Sequence, residues 1–148
     1  MNNYFRFGIL SINEMLHRFK AVSDNMAENN HDIRTNKKEL KRLYTQTFIV
    51  GGLPIKIKMW SLRYQLFCTK GITCVGCGIS GSYFAVERFQ DGCEDKGHFN
   101  LYSLTNGFEI LMTKDHIIPK AKGGKDHIDN LQTMCTTCNL LKGNKSCY

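Results

Sequence analysis

Proline is scarce, with two in 148 residues, and there is a single tryptophan. Thirteen scattered glycines make no repeat. Collagen-like and low-complexity classes are therefore excluded. Long apolar runs are also missing. The longest near-apolar stretch, Phe48–Ile55, holds two glycines and a proline and is far too short to span a bilayer. Residues 1–10 have no apolar h-region, so no signal peptide is read and the expected location is cytoplasmic, with no membrane partner. Acidic residues are sparse in the first half. Residues 1–73 carry twelve basic and five acidic residues, whereas residues 74–148 carry eight of each, so the whole net charge of +7 sits in the first half. Such asymmetry suits an acidic partner or a solvated basic face.

What is present is an ordinary globular composition, 42% hydrophobic and 22% charged, in one domain's length of chain. Ser11-Ile-Asn-Glu14 is a capping box, and Ile12, Met15, Leu16, Phe19, Val22 and Met26 recur at helical spacing, which predicts a helix over 12–26. A second helix is expected from Ile33 with Asp32 as its N-cap. Leu40, Leu43, Tyr44 and Thr47 fall on one arc of it, and Arg34, Lys37, Lys38 and Lys41 on another. That basic stripe suits a phosphate backbone or plain solvation. Gly51-Gly52-Leu-Pro54 reads as a turn before a half-exposed strand, Ile55–Met59, and Ser61 caps a short helix ending near Gly71. Beyond Cys77 the texture turns to strands: Tyr83–Phe89, then Phe99–Leu104 and Phe108–Thr113 around an Asn106-Gly107 hairpin signal. The expected division is a helical, basic region 1–72, a DNA-binding extension, followed by a cysteine module 73–148.

Seven cysteines, an odd number, with no export signal argue against a disulfide framework. Cys74-Val-Gly-Cys77 and Cys135-Thr-Thr-Cys138 are two CxxC knuckles, separated by fifty-seven residues. Four thiolates in a closed set select structural zinc, one ion per chain, and leave no position open for substrate. A redox CxxC is the alternative. Cys68, Cys93 and Cys147 are left over as buried or incidental thiols.

Around the second knuckle the chain reads Lys114-Asp115-His116-Ile117-Ile118-Pro119-Lys120-Ala121-Lys122-Gly123-Gly124, then Asp129-Asn130-Leu131-Gln132, then Cys138-Asn139-Leu140-Leu141-Lys142-Gly143-Asn144-Lys145. A carboxylate and an imidazole stand at the end of an apolar strand, and a short helix near Cys138 puts Asn139 and Lys142 on one face. A hard cation on one carboxylate and one amide, beside a neutral histidine, is the equipment of phosphodiester hydrolysis. Neighbours on a regular strand point to opposite faces, so Asp115 and His116 share a site only where the strand ends or bulges. His127, in the loop, reads as a solvated side chain or a metal or phosphate contact.

At these residues the sequence resembles the HNH nuclease family, in the branch where zinc knuckles bracket a ββα-metal core. DHIIPKAKGG…DNLQTMCTTCNLLKGNK, over about residues 110–145, carries the resemblance. It implies an α+β fold, a small ββα-metal core stapled by the four-cysteine zinc site and preceded by the helical region. It implies His116 as general base, Asp115 and Asn139 as ligands of a catalytic Mg²⁺ or Mn²⁺, and Asn130 as the residue that fixes the loop and the base. Lys142, Lys145, Lys120 and Lys122 are the expected phosphate contacts. The final motif position is Asn where many members have His. The implied activity is DNA hydrolysis to 5′-phosphate and 3′-hydroxyl ends, and the small size suits a phage or mobile-element nuclease as well as a restriction or repair component. A zinc-dependent DNA-binding module without catalysis, or a nuclease for RNA or structured nucleic acid, is the alternative. Tyr4, Phe5 and Phe7 suit base stacking or core packing, and the sequence is compatible with a monomer or a homodimer.

Overall fold

The computed structural model describes residues 3–32, 37–92 and 95–145. The chain runs β1 (Tyr4–Leu10), α1 (Ile12–Glu28), α2 (Lys37–Tyr44), β2 (Thr45–Val50), β3 (Leu53–Lys58), α3 (Leu62–Lys70), β4 (Tyr83–Phe89), β5 (Lys96–Thr105), β6 (Phe108–His116), β7 (Leu131–Cys135) and α4 (Thr136–Lys142). This is the α+β class expected from the sequence. One sheet takes the order β1-β4-β5-β3-β2, and β6 and β7 continue it from β5. Every pairing is antiparallel except β3 with β5.

Local chemistry accounts for most elements. Ser11 caps α1, its hydroxyl accepting from the Glu14 amide at 3.3 Å. Met15, Phe19, Val22 and Met26 form the buried stripe of that helix. Ser61 caps α3 in the same way through the Arg63 amide. Two hairpins turn on two residues each, Gly51-Gly52 (φ 58° and 77°) and Asn106-Gly107 (φ 51° and 79°). Positive φ at both central positions is the type I′ requirement that glycine and asparagine meet.

The N-terminal region carries the strand expected at Ile55–Met59, as β3, and departs from its otherwise helical expectation by two more, β1 and β2. Thr47, expected on α2, lies in β2, because Thr45-Gln-Thr-Phe-Ile-Val50 is rich in β-branched residues and feeds the diglycine turn. The expected start at Ile33 and the stripe residue Arg34 lie outside the described residues, as do Cys93 and Cys147. β1 pairs with β4, and its Gly8 approaches β2 so closely that an added Cβ would sit 2.6 Å from Val50 Cγ1. The two ends of the strand path thereby meet and the sheet curls around its core.

Phe19 stacks on Tyr64 at 4.4 Å and meets Phe84 and Phe99 edge-on, tying α1 to α3 and the sheet. The boundary expected near residue 72 falls in the loop after α3, while core and sheet run across it, from Met15 and Ile57 to Met112 and Met134. β5 is shared lengthwise. Lys96 and Gly97 face β3, whereas Leu101–Thr105 face β6, so β6 diverges beyond Met112 and pairs with β7. That divergence frees the end of β6 to carry a site. None of the described helices is long and apolar enough to cross a membrane.

Candidate active site and metal centre

Asp115 and His116 are the last residues of β6, paired with Gln132 and Leu131 of β7. The pleat sends their side chains apart, Asp115 to α4 and His116 to the loop, so only their place at the end of β6 leaves one substrate able to reach both. Thr113 and Asp115 face α4. Asn139 Nδ2 donates to Thr113 Oγ1 at 3.0 Å, and Asp115 Oδ2 accepts from Gln132 Nε2 and from Lys142 Nζ, both at 2.8 Å. Asn139 and Lys142 thus share a helix face, although α4 begins at Thr136, ahead of the expected start near Cys138. Lys142 was expected at phosphate. It is instead 1% exposed, its ammonium held between Asp115 and the His116 carbonyl, 2.7 Å away. Its burial is tolerable because the charge is paired and hydrogen-bonded.

His116 turns to the loop between β6 and β7. Its Nε2 lies 3.0 Å from Asp126 Oδ1, a contact the motif gave no reason to expect. An ionised carboxylate only accepts, so Nε2 carries the proton in the neutral ring and Nδ1 keeps its lone pair. Partial burial would raise the Asp126 carboxyl, but the His116 hydrogen bond and the ammonium groups of Lys114 (3.3 Å) and Lys120 (3.9 Å) outweigh it and hold it below the usual carboxylate range. Asp126 stays an acceptor.

Asn130 pins this loop. Its Oδ1 accepts from the Ile118 amide at 2.8 Å, and its Nδ2 donates to the Ile118 carbonyl at 3.1 Å and the Lys125 carbonyl at 2.9 Å. Gly123 adopts φ 86°, and Gly124 packs so tightly that a Cβ would meet the Ile118 carbonyl oxygen at 1.7 Å. Lys120, Lys122 and Lys145 are on the surface. His127, also exposed, accepts from the Asp129 amide at 3.2 Å and so caps the short 3-10 turn Ile128–Asn130.

The four cysteine sulfurs of the knuckles all lie within 4.8 Å of one another. A tetrahedral ion with metal–sulfur bonds of about 2.3 Å requires sulfurs about 3.8 Å apart. Cys77 and Cys135 are 3.9 Å apart, so the cluster fits a metal such as zinc. Burial disfavours the Cys74 thiolate, but amides of Cys135, Cys77 and Gly76 overcome that and bring its thiol down to about 6. Burial and the three neighbouring sulfurs push Cys138 up to about 12, the crowding that a cation would relieve. The first knuckle is docked on β7 by the Val75 amide to the Thr133 carbonyl and by Thr133 Oγ1 to the Gly71 carbonyl. Leftover Cys68 is half-buried, and burial raises its thiol.

The geometry of β6, loop, β7 and α4 has a counterpart among known families. Residues 91–145 match the model of the HNH endonuclease family. The match covers the whole β6–α4 unit and the second knuckle, and leaves Cys74, Cys77 and the N-terminal strands and helices outside it. Comparison with curated proteins and with solved structures returned no match. An HNH segment points to nuclease or nucleic-acid-binding function and makes nucleic acid the natural partner. Within that segment Asp126, Gln132 and Thr113 were not singled out from sequence. The only available signal for Asp126 was a carboxylate following the Gly-Gly turn.

Proposed function

We propose that the protein is a divalent-metal-dependent endonuclease that hydrolyses DNA phosphodiester bonds, with His116 as general base. The observation that carries this reading is the His116–Asp126 contact inside the HNH-matching segment. Asp126 fixes the tautomer, and Nδ1 of His116 accepts the proton of a water whose oxygen forms the new bond to phosphorus as the bond to the leaving oxygen breaks. Asn130 holds the loop that carries Asp126. Asp115 and Asn139 would hold the catalytic Mg²⁺ or Mn²⁺. The donors suit it: Asp115 Oδ1 and Asn139 Oδ1 accept no hydrogen bond from the described residues, and a carboxylate and an amide oxygen are hard ligands. When bound, such an ion neutralises charge growing on the phosphate. Lys120, Lys122 and Lys145 supply exposed cations for the strand, and Lys142 secures Asp115. One zinc per chain in the cysteine cluster staples β7 and α4 to the loop after α3.

The test is nicking of supercoiled plasmid with Mg²⁺ or Mn²⁺. Wild type cuts, while His116→Ala and chelator-treated protein do not. Equal cutting by His116→Ala rules out its role as base. A second reading, a nucleic-acid-binding module without catalysis, is favoured by one observation: the Lys142 ammonium already neutralises Asp115. Tight DNA binding by a folded wild type that cuts neither DNA nor RNA would select it.

A further inference from the structure

A second cavity, about 430 Å³, opens where α2, the β2–β3 hairpin, the start of α3 and the start of β5 converge. Lys41, Lys56, Lys58, Arg63, Lys96 and His98 line it, and no lining residue is acidic. Lys56 pairs with Asp95 at 3.1 Å, but no carboxylate of the described residues pairs with Lys41, Lys58, Arg63 or Lys96. Arg63 is aimed rather than loose, since its guanidinium donates to Asn100 Oδ1 at 3.1 Å and to the Phe99 carbonyl at 2.7 Å, leaving other N–H donors uncommitted. A cavity that gathers four cations without carboxylate partners is suited to an anion that accepts hydrogen bonds.

Its position names the anion. Arg63 and Ser61 line this cavity, whereas their neighbour Leu62 lines another, about 500 Å³, together with Asp126 and His127. Asp126 is the partner of His116. The first turn of α3 thus borders both the basic cavity and the cavity that reaches the His116 loop. We propose that this cavity receives a backbone phosphate of the nucleic-acid strand whose scissile bond lies at His116. The inference rests on the nuclease reading for its relation to the scissile bond, but not for the existence of the phosphate site.

The experiment is fluorescence anisotropy of labelled duplex and single-stranded DNA across a salt series, without added divalent ion so that cleavage does not run. Removing two of the cations around that one phosphate in Lys58→Ala/Lys96→Ala should reduce affinity severalfold to tenfold near 0.15 M salt and flatten the duplex salt slope by up to about 0.9. Lys41→Ala, which removes an exposed lining cation and so spares the fold, should weaken binding severalfold. Wild-type affinity and slope in both variants, with unchanged circular dichroism, overturns the proposal. Inorganic phosphate and adenosine monophosphate distinguish the sources. Competition by both only at millimolar levels supports a strand phosphate. Tight mononucleotide binding that the variants lose, with DNA binding intact, overturns the strand assignment. Salt-dependent DNA binding with no cleavage after Mg²⁺ addition would remove the nuclease reading and leave the phosphate site standing.

Discussion

Asp126→Asn tests the site at the residue the motif did not supply. The wild-type carboxylate accepts from His116 Nε2 at 3.0 Å, and ionic hydrogen bonds of this kind contribute about 1.5–3 kcal/mol. Asp126 is 43% exposed and shared with Lys114, so solvent screening places the loss at the low end. About 1.5 kcal/mol corresponds to a rate lowered roughly tenfold. An amide adds a second effect, because its N–H₂ can donate to Nε2 and move the ring proton to Nδ1, the atom that must receive a proton from water. The assay is single-turnover nicking, accompanied by ¹⁵N spectroscopy of the imidazole. In wild type the Nε2–H tautomer should predominate, and in Asp126→Asn the Nδ1–H share should rise as the rate falls. An unchanged rate together with an unchanged tautomer would refute the orienting role. A slow but correctly tautomeric variant would reduce Asp126 to a loop support.

Asn130→Ala removes three hydrogen bonds that hold the loop and should cost about 1–3 kcal/mol, read as a melting temperature lowered by several degrees in thermal denaturation. Cys135→Ala breaks the sulfur cluster. Binding of structural zinc amounts to about 10–16 kcal/mol in small modules, comparable to a whole domain's stability, so the variant should lose the metal proposed for the cluster, read by elemental analysis, and its native circular dichroism. Native circular dichroism in the metal-free variant would refute the clamp. Burial, then Arg63, lowers the His98 imidazole against the opposing pull of Glu87. The unfolded chain therefore takes up a proton that the folded chain resists. Stability should be intact above about pH 6.5 and be lost as pH falls from there toward the lower folded value, and His98→Asn should lessen that loss in melting curves at pH 7.5 and 5.5.

Signals confined to a few adjacent residues were legible in the sequence. The Ser11 cap, the Met15–Met26 stripe, the Asn106-Gly107 turn and the two knuckles each owe their structure to neighbours in the chain, and each is found as read. Features decided by distant partners were not. β1 mixes aromatic and polar residues without clean alternation, and only its pairing with β4 makes it a strand. Thr47 fits a helical arc, yet the β-branched run and the diglycine turn act on the whole segment and prevail. At the site, the motif marked which residues matter but not where they point. Lys142 resembles a surface lysine in sequence, and its burial follows from Asp115 lying one strand away at the right height. Asp126 was hidden because a carboxylate ten residues from a histidine acquires meaning only once the loop folds back.

That fold-back also explains how a loop can hold the His116–Asp126 pair in place. Its two ends are adjacent paired strands, Asp115 opposite Gln132 and His116 opposite Leu131, so neither end can drift. Its middle is tied by Asn130 and closed by the contact that only a glycine at 124 permits. β7 is anchored in turn from behind, because Lys70 of α3 donates to the Leu131 carbonyl at 2.8 Å and Thr133 reaches Gly71. The helix that borders the basic cavity at its first turn thus grips the strand that supports His116 at its last. A strand phosphate seated beside Arg63 is therefore referenced to His116 through one short helix. Loosening the Lys70–Leu131 tie should impair alignment of bound DNA rather than its affinity, which separates positioning from binding within the same element.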